Sequence, residues 1–531
     1  MPLKVGVIGG GAAGLAALKI LKDTDEITNG DWVVTAFEQR DDIGGIWYVK
    51  LRTNKKFLTT TLRACRYPSP PVGDPPATPL YDALTTNIPH ILMAFPSFLF
   101  KPSTPLYPSS HVVLEYLRDY AKYFGVREYI QLCSTVEECK WDGEERVWIL
   151  HVRSFEQSTS TSKLTVHKFD KLIIANGHFS TPRYPSLPGL LNWRHPPIIP
   201  SRPRATHSIY FRNPTPYKDK RVIVIGGGPS GMDITTELCK VASVVYHSSS
   251  TTTVPFSATI GSCTLINRGR VTALHEDGTV SFDDSEKDKP SMELDHAILA
   301  TGYEMSFPFL EPLILKKALL PDQSDIIPSE LINTTSSVYP LTRHILPFTK
   351  PTHEISPWHV DPSSIAFIGL PIKVTPFPLF ETQVTYLVSL YRNPDLFSPS
   401  LEQAWIEHRY ISLKERFHLP AFMAKNMHIF VIDEQYAYTT EILRLAGVPQ
   451  DSHIYPEIWT KDIYAQKNVL RRIWKLLERE GKAEEVVRGV GSSPGKAGRE
   501  EWAELAKVLI REYESKMAVI RTVVRSSYIN K

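Results

Sequence analysis

The amino-terminal stretch of the chain alternates between apolar runs and short polar or glycine-rich breaks. Val5 to Ile8 is an apolar run that predicts a strand, and it leads directly into Gly9-x-Gly11-x-x-Gly14. Residues 15–21 are rich in leucine and alanine and favour a helix, and a second apolar run, Trp32 to Phe37, ends at Glu38. The order of strand, glycine turn, helix and strand is typical of a dinucleotide-binding βαβ unit.

The residues of this turn fit the requirements of such a site. Gly9 allows the tight turn, Gly11 lets the backbone approach a pyrophosphate, and Gly14 lets the helix pack on the strand. The pyrophosphate would lie on the helix N-terminus, where free N–H groups and the helix dipole favour anions. The predicted binding residues are Gly9, Gly10, Gly11, Ala12, Ala13 and Gly14, with Glu38 placed to bind ribose hydroxyls. The adjacent pair Gly44-Gly45 indicates a second close approach of backbone to a ligand.

The opening pattern returns later in the chain. Val222 to Ile225 is an apolar run, Gly226-x-Gly228-x-x-Gly231 follows it, and residues 232–238 favour a helix. After each copy comes a hairpin pattern with an Asp-Gly turn, at 142–143 and at 277–278, and then an apolar strand that ends near a glycine. The duplication predicts two dinucleotide sites, which electron transfer from one cofactor to another requires.

The remaining segments indicate how the chain is organised around these two units. A strand at Ser364 to Leu370 and a helix at Gln383 to Tyr391 are expected to complete the first domain. We predict an α/β fold with two Rossmann-like dinucleotide-binding domains, each with a β-hairpin or meander, plus a helical C-terminal extension. The predicted ranges are 1–204 for the first part of the first domain, 205–303 for the inserted second domain, 304–400 for the return segment and 401–531 for the extension. The final helix, Glu500 to Val524, is expected to dock on its domain.

Two proline-rich segments interrupt this plan. Residues 66–108 contain eleven prolines together with many aromatic and aliphatic side chains, which favours an ordered wrap over a ligand rather than a flexible loop. Residues 182–216 contain nine prolines and are expected to cross from one domain to the other.

Composition narrows the class of protein. A chain of 531 residues with 42% hydrophobic and 22% charged residues is typical of a globular protein with two or three domains. The net charge of +3 gives no indication of a nucleic-acid partner. The cysteines form no C-x-x-C pair and no metal-ligand spacing, so neither a disulfide framework nor a metal site is expected; they are Cys65, Cys133, Cys139, Cys239 and Cys263. No apolar stretch of about 18 residues predicts a membrane span, and a strand close to Met1 leaves no room for a signal peptide, so a cytoplasmic protein is expected.

Taken together, the motifs resemble one known family. They are, in order, Gly9-x-Gly11-x-x-Gly14, Glu38, Gly44-Gly45-x-Trp47, Thr86-Asn87-x-Pro89, Gly226-x-Gly228-x-Ser230-Gly231-x-Asp233 and Ala300-Thr301-Gly302-Tyr303. This set, over about residues 3 to 392, resembles the flavin-containing monooxygenases, and most closely the fungal and yeast-type branch that is similar to dimethylaniline monooxygenase. The family also has a signature Phe-x-Gly-x-x-x-His-x-x-x-(Tyr or Phe) before the second fingerprint. His207 and Phe211 match it, whereas Ser201 and Pro203 stand where Phe and Gly are expected.

The resemblance implies which cofactor lies where. FAD would lie on the first fingerprint, with Glu38 on the adenosine ribose, Gly45, Ile46 and Trp47 along the cofactor, and Thr86 and Asn87 near the flavin ring. NADPH would lie on the second fingerprint and reduce the flavin by hydride transfer. The residues assigned to it are Gly226, Gly228, Ser230, Gly231 and Asp233. Reduced flavin would then form a C4a-hydroperoxide with O2 and oxygenate a soft nitrogen or sulfur nucleophile of a small-molecule substrate.

Asn87 is the candidate catalytic residue that the resemblance implies. An amide donates and accepts hydrogen bonds without a change of charge, which suits a group that holds a peroxide without protonating it away. Considered without the family, Asn87 is a turn residue before Pro89. Asn87 can therefore be interpreted as a catalytic residue or as a turn residue.

The second site also indicates a choice of nicotinamide. The predicted strand Val241 to Tyr246 ends in His247-Ser248-Ser249-Ser250, with no acidic residue for a ribose 2′-hydroxyl. The absence of an acid favours the phosphorylated nicotinamide, because a carboxylate would repel a 2′-phosphate. Arg268 and Arg270 on the following segment are the candidate partners of that phosphate.

Three other functions compete with this interpretation. A Baeyer–Villiger monooxygenase acting on ketones has a signature that ends in Trp, whereas this chain has Phe211. A disulfide reductase would need a redox cysteine pair, which the chain lacks. A non-catalytic FAD- and NADP-binding redox protein stays open, as does a homodimeric state.

Overall fold

The computed structural model describes residues 1–48, 77–156, 161–194, 204–310, 312–321, 326–351 and 356–529, with side chains described throughout these ranges except at 432 and 517–529. Ser201 and Pro203 of the family signature lie outside the described residues, as do Cys65 and the first part, 66–76, of the proline-rich wrap.

The helices of the described residues follow in chain order. They are α1 (Ala12–Lys22), α2 (Asp25–Thr28), α3 (His90–Met93), α4 (Ser110–Tyr123), α5 (Leu190–Arg194), α6 (Pro229–Leu238), α7 (Pro357–Val360), α8 (Pro376–Arg392), α9 (Pro399–Arg416), α10 (Pro420–Asn426), α11 (Ile432–Leu445), α12 (Ile458–Ala465), α13 (Lys467–Arg479), α14 (Ala483–Val487) and α15 (Lys496–Ile529).

The strands alternate with these helices. They are β1 (Leu3–Ile8), β2 (Trp32–Phe37), β3 (Ile130–Gln131), β4 (Ser134–Asp142), β5 (Val147–Glu156), β6 (Thr161–Phe169), β7 (Lys171–Ile174), β8 (Thr181–Pro182), β9 (Arg204–His207), β10 (Arg221–Ile225), β11 (Val244–Ser248), β12 (Phe256–Ile260), β13 (Cys263–Arg268), β14 (Val271–Leu274), β15 (Val280–Phe282), β16 (His296–Leu299), β17 (Tyr303–Glu304), β18 (Lys316–Lys317), β19 (Ile332–Asn333), β20 (Val338–Tyr339), β21 (Leu341–Thr342), β22 (Leu346–Pro347) and β23 (Ile365–Phe367).

The chain forms two compact units. The first unit comprises Met1–Gly45, Thr85–Gly177 and Phe307–Lys531. Its main sheet is parallel and has the strand order β23-β7-β1-β2-β3. The central strands are apolar because both faces of a parallel sheet are covered; Val5 and Val7 of β1 and Ile173 of β7 have no exposed surface. The predicted hairpin after the first fingerprint is the antiparallel sheet β4-β5-β6.

The second unit comprises Ile46–Leu84 and His178–Ser306. Its sheet has the order β12-β13-β11-β10-β16-β9, and every neighbouring pair except β12 with β13 is parallel. In the first unit β1 therefore lies between β2 and β7, and in the second unit β10 lies between β11 and β16. The strands around each glycine turn have the same order. The predicted second hairpin is β14-β15, closed by Gly278 with φ +87°.

The second unit begins earlier in the chain than residue 205, where the sequence-based division starts the inserted domain. Strand pairing is the physical reason. Strand β8 (Thr181–Pro182) pairs with β17, and β9 (Arg204–His207) pairs with β16, so this crossover segment adds its strands to the second unit. Residues 46–84 belong to the same unit, where the Asp82 N–H donates to the Arg212 carbonyl at 2.8 Å.

Beyond residue 400 the chain is helical, as predicted, and belongs to the first unit. Helix α15 starts at Lys496 and packs on α13 and α12. Its Trp502 is buried and meets the His90 ring of α3 edge-on, with the ring centroids 4.5 Å apart. The predicted docking of the final helix is therefore confirmed. Within the described residues, none of the helices combines the length and apolarity that a bilayer span demands.

Candidate cofactor sites and active site

The glycine turn of the first unit is closed so tightly that side chains cannot fit. Gly9 has φ +114°, and a Cβ added there would overlap the Ala175 carbonyl oxygen at the end of β7. A Cβ on Gly14 would overlap the Gly9 carbonyl oxygen, because α1 starts directly over the end of β1. These two glycines therefore set the approach of helix and strand, which is the role predicted for Gly14.

The N-terminus of α1 is open toward a ligand. Gly11 is the N-cap residue in extended conformation, and no side chain caps this end of the helix or places an acidic group in its first turn. The N–H groups of the first helical turn, from Ala12, Ala13 and Gly14, have no partner within the helix and present donors to an anion. This is the arrangement that the sequence predicts for a pyrophosphate.

Glu38 lies at the end of β2 and holds the glycine turn from the side. Its Oε2 accepts the Gly10 N–H at 2.8 Å and its Oε1 accepts the Arg40 N–H at 2.9 Å. Burial raises the pKa of Glu38, while Arg40 and these N–H groups act in the opposite direction. Each carboxylate oxygen has a second lone pair, so Glu38 can still accept a ribose hydroxyl in the position where such sites place their acid.

Gly44-Gly45 forms a second backbone approach, as predicted. The Gly44 N–H donates to the Gly10 carbonyl at 3.0 Å, and a Cβ on Gly45 would lie 2.9 Å from the Gly11 Cα. Arg40 Nη1 donates to the Gly45 carbonyl at 2.7 Å and fixes this loop. Gly45–Trp47 then forms one turn of 3-10 helix in which Ile46 and Trp47 are half-buried. Gly44 and Gly45 have φ +112° and +56°, so both positions favour glycine.

Thr86 and Asn87 lie in a bend directly before α3. The Thr86 N–H donates to the Pro108 carbonyl at 3.0 Å, whereas its buried hydroxyl has no hydrogen-bond partner among the described residues. Asn87 is exposed, and its amide makes no hydrogen bond within the described part of the chain. A turn residue would normally use its side chain to hold the bend, so the geometry leaves Asn87 available to a ligand. The unpaired hydroxyl beside it is a group that a bound ligand would satisfy.

The second glycine turn repeats the first at the level of single contacts. Gly226 has φ +132°, a Cβ on it would overlap the Ala300 carbonyl oxygen, and a Cβ on Gly231 would overlap the Gly226 carbonyl oxygen. Gly228 is the uncapped N-cap of α6, and nothing lies within 4 Å of its added Cβ. Ser230 lies half-buried in the first turn of this helix. The second turn therefore also presents a free helix N-terminus beside an open glycine.

Asp233 has a partner inside the second unit. Its Oδ2 accepts the Tyr81 hydroxyl at 3.2 Å, and Tyr81 packs against Phe211 with the ring centroids 5.7 Å apart. The structure thus connects Asp233 to the segment that precedes Leu84 and to the aromatic end of the family signature. Its predicted contact with the cofactor stays a prediction.

The two turns differ at the residue that directly follows the second strand of each unit. Strand β11 begins at Val244, not at Val241 as predicted, because the Val241 and Ala242 N–H groups both donate to the Leu238 carbonyl and close the end of α6. Ser249 is therefore the first residue after β11, as Glu38 is after β2. A Cβ on Gly227 would collide with Ser249 Oγ, and a Cβ on Gly10 would lie 3.0 Å from the Glu38 Cβ. A hydroxyl replaces the carboxylate at the position that is predicted to face a ribose.

Arg268 and Arg270, the candidate partners of a 2′-phosphate, have different environments. Arg268 is buried and forms two hydrogen bonds to the Asp284 carboxylate, at 2.7 and 3.0 Å, and others to the Glu286 and Lys289 carbonyls. Its guanidinium is occupied by the fold. Arg270 is exposed and is the remaining candidate.

His207 of the family signature is a positioning residue of the second unit. Its Nδ1 accepts the Ile209 N–H at 3.1 Å, so the proton is on Nε2, which donates to the Gly302 carbonyl at 3.0 Å. Burial lowers the pKa of His207 to about 4 and keeps the ring neutral. The histidine thereby fixes the Ala300-Thr301-Gly302-Tyr303 segment, whose Thr301 hydroxyl also donates to the Arg183 carbonyl at 2.6 Å.

His178 received no role in the sequence analysis. It is buried, both of its ring nitrogens lack hydrogen-bond partners among the described residues, and burial lowers its pKa to about 4. A buried imidazole normally pairs at least one nitrogen. The available signal in the sequence is its place immediately after the strand that ends in Asn176-Gly177, since ligands of α/β sheets bind at the carboxyl ends of strands.

Known proteins are similar to this chain in sequence. A family model described as FMO-like, flavin-binding monooxygenase-like, matches residues 72–263. Flavin-containing monooxygenase FMO GS-OX-like 2 from Arabidopsis thaliana is 27% identical over 485 residues, 88% of this chain and 91% of that protein. Flavin-containing monooxygenase FMO GS-OX5 from the same plant is 29% identical over 400 residues, 73% of each chain. The chain is therefore similar to flavin-containing monooxygenases, as its motifs indicate.

Solved structures support the fold of this chain. The S-allyl-L-cysteine S-oxygenase from Allium sativum aligns with a TM-score of 0.67 at 22% identity and covers 97% of this chain and 99% of that one. Tmm from Pelagibacter sp. strain HTCC7211 aligns with a TM-score of 0.62 at 20% identity, over 88% of this chain and 90% of that one. The predicted α/β fold with a helical C-terminal extension is confirmed. The fungal and yeast-type branch stays a prediction.

The family model and the relatives support the predicted class, a flavin-binding monooxygenase with FAD and NADP as cofactors. The residues of the first unit fit FAD on their own geometry: an uncapped helix N-terminus, a double-glycine loop, an acid at the ribose position and an unpaired buried hydroxyl at Thr86.

Proposed function

We propose that this flavin-containing monooxygenase uses NADPH and O2 to oxygenate a soft nitrogen or sulfur nucleophile on a small molecule. One observation carries the assignment of the two nucleotides. The first and last glycines of the two turns make matching contacts, yet Glu38 faces the first turn and Ser249 faces the second. An acid suits the ribose hydroxyls of FAD, whereas a hydroxyl tolerates a 2′-phosphate that a carboxylate would repel.

In this proposal the first unit binds FAD. The N–H groups of Ala12 and Ala13 receive the pyrophosphate, Glu38 accepts a ribose hydroxyl, and the Gly44-Gly45 loop approaches the cofactor with backbone alone. The flavin, when bound, supplies the redox and oxygen chemistry. The protein supplies position, a dry environment and hydrogen bonds.

Asn87 is the residue that we assign to the reacting edge of the flavin. Its exposed amide has no partner within the described residues, so it can donate to and accept from a bound group without a change of charge. The Thr86 hydroxyl beside it is buried and unpaired and would complete the contact.

NADPH is assigned to the second unit. Gly228 lets the nucleotide approach the N-terminus of α6, and the exposed Arg270 is the candidate partner of the 2′-phosphate. His207 holds the Gly302 segment of this unit in place without contributing charge.

Nitrogen or sulfur oxygenation is preferred over ketone oxygenation. Phe211 at the end of the family signature is buried against Tyr81 and Tyr217 in the second unit, and the Baeyer–Villiger version of the signature ends in Trp. The relatives that match over most of the chain are named flavin-containing monooxygenases.

The test is a substrate panel on the purified, yellow protein. NADPH oxidation, O2 uptake and H2O2 release are measured with a thioether, a tertiary amine and a cyclic ketone, and products are identified by mass spectrometry. We expect a sulfoxide or an N-oxide, formed in proportion to the NADPH consumed. Turnover of the ketone alone would assign the Baeyer–Villiger reaction instead, and flavin reduction without any oxygenated product would assign a redox protein without monooxygenase turnover.

A further inference from the structure

The first unit contains a cleft that takes no part in the proposed cofactor contacts. It lies between α3, the start of α8, one face of α11, the 454–456 loop and the start of α15, and it encloses about 550 Å³ including its open mouth. Its walls are largely apolar, with Ile91, Leu92, Leu379 and Ile454 among the lining residues. Two polar side chains, Gln435 and Arg499, face the same cleft.

Gln435 presents an unused donor. Its side chain is buried, and its Oε1 accepts the Thr375 N–H at 2.9 Å, which fixes the orientation of the amide. The Nε2 group therefore points away from Thr375, and it has no acceptor among the described residues. A buried amide nitrogen without a partner destabilises the folded protein, so this position requires an explanation.

Arg499 presents a second unused donor in the same cleft. Its Nε lies 3.3 Å from Glu457 Oε1, but the N–H does not point at that oxygen, and the buried Nε has no hydrogen-bond partner within the described residues. Glu457 is held from its other side, because its Oε2 accepts the Trp459 indole N–H at 2.8 Å. The guanidinium is thus balanced in charge by Glu457 but not satisfied in hydrogen bonding.

The hydroxyl groups around the cleft behave differently. Tyr436 donates to the Thr460 carbonyl at 2.9 Å, Tyr455 donates to the Val448 carbonyl at 3.0 Å, and Thr460 donates to the Glu457 carbonyl at 2.5 Å. The fold thus provides acceptors for these hydroxyls and leaves two nitrogen donors without them. A ligand that complements the cleft must bring acceptor oxygens.

We propose that this Gln435–Arg499 cleft binds a small organic carboxylate with a short apolar tail. A carboxylate offers two acceptor oxygens, one for the amide Nε2 of Gln435 and one for the guanidinium of Arg499, and its charge strengthens the hydrogen bond to the guanidinium. The apolar walls would cover the tail.

Binding is measured by titration calorimetry on the flavin-loaded protein without NADPH, at constant ionic strength. Hexanoate is the probe, and hexan-1-ol, with the same tail and no carboxylate, is the matched ligand. We expect hexanoate to bind at least about ten-fold more tightly than hexan-1-ol, because it alone satisfies both donors. Equal affinities, or no heat with hexanoate at millimolar concentration, would overturn the proposal and leave the cleft to ordered water.

Gln435→Glu is the sharpest variant. It keeps the shape and the acceptor for the Thr375 N–H and replaces the unused donor by an anion, so hexanoate affinity should fall at least about ten-fold. Arg499→Met should cause a loss of similar size. Arg511→Met is the control: it removes the same charge from the same helix, and the Arg511 side chain is 69% exposed and pairs with Glu504.

Thermal unfolding shows whether each variant is folded. If Arg499→Met does not fold, Gln435→Glu decides alone, and unchanged hexanoate binding in that variant would refute the site. Because the readout is binding without NADPH or an oxygenation substrate, its failure is distinct from a failure of the proposed monooxygenase reaction.

Discussion

Ser249 stands in the second glycine turn where Glu38 stands in the first. Ser249 directly follows β11, and Glu38 directly follows β2. Each lies against the second of the three consecutive glycines of its turn, Gly227 for Ser249 and Gly10 for Glu38. The first and last glycines of the two turns make matching contacts, so this side chain is one clear chemical difference between the sites. Nucleotide preference should therefore respond to it.

The first prediction concerns that preference. Ser249→Glu places a carboxylate beside the ribose of the second site, where it would repel a 2′-phosphate and accept a 2′-hydroxyl. We expect the ratio of kcat/KM for NADPH over NADH to fall by about ten-fold or more, equivalent to about 1.4 kcal/mol. Stopped-flow reduction of the flavin with each nucleotide measures the ratio. Ser243→Glu, an exposed position just before β11, is the charge-matched control and should leave the ratio unchanged.

The second prediction concerns Asn87. Asn87→Ser removes the amide from an exposed bend that the side chain does not hold, so FAD content and thermal stability should stay as in the parent protein. Loss of its hydrogen bonds at the reacting edge should raise the fraction of NADPH oxidised to H2O2 several-fold, on the order of 1 kcal/mol. Peroxide and product are measured together. Asn29→Ser, also exposed, controls for the substitution itself, and unchanged coupling in Asn87→Ser would remove Asn87 from the mechanism.

The third prediction separates packing from ligand approach in the second turn. A Cβ on Gly231 would overlap the Gly226 carbonyl oxygen, so Gly231→Ala should lower stability by about 1–3 kcal/mol. Nothing lies within 4 Å of a Cβ on Gly228, so Gly228→Ala should leave the thermal midpoint unchanged and weaken NADPH binding only. Both variants should stay yellow. Normal NADPH affinity in Gly228→Ala would place the nucleotide away from this turn.

The fourth prediction concerns pH. The pKa of His207 in the folded protein is about 4, below the ordinary histidine value of 6.5. As pH falls, the imidazole is therefore protonated first in the unfolded chain. The contribution of His207 to stability is complete above about pH 6.5 and is lost toward pH 4, at about 1.4 kcal/mol per pH unit in that window. Denaturant unfolding at several pH values measures the slope.

His207→Gln is the matching variant for this measurement. Glutamine can accept the Ile209 N–H and donate to the Gly302 carbonyl without titrating. The slope of its unfolding free energy against pH between 6.5 and 4 should correspond to one proton fewer taken up on unfolding than in the parent protein. His90, His178 and His296 are also held neutral by burial and keep the remaining slope in both proteins. Identical slopes would show that His207 does not titrate in this range.

The sequence by itself determined the parts that depend on local rules. Glycine spacing, apolar strands and Asp-Gly turns act over a few residues, so both nucleotide turns, both hairpins and the helical end of the chain were predictable. The start of β11 was misplaced by three residues because Val241 is apolar, although its N–H closes the helix before it.

Tertiary structure decided which polar groups are used and which are left over. Arg268 suits a phosphate by its place in the sequence, but the fold pairs it with Asp284. His178 belongs to no motif of the sequence, but its ring is buried and has no hydrogen-bond partner among the described residues. Gln435 and Arg499 line one cleft only because helices far apart in the chain pack together, and the described residues provide no acceptor for Gln435 Nε2 or Arg499 Nε. Hydrogen-bond satisfaction depends on all surrounding groups at once, so no local pattern in the sequence records it.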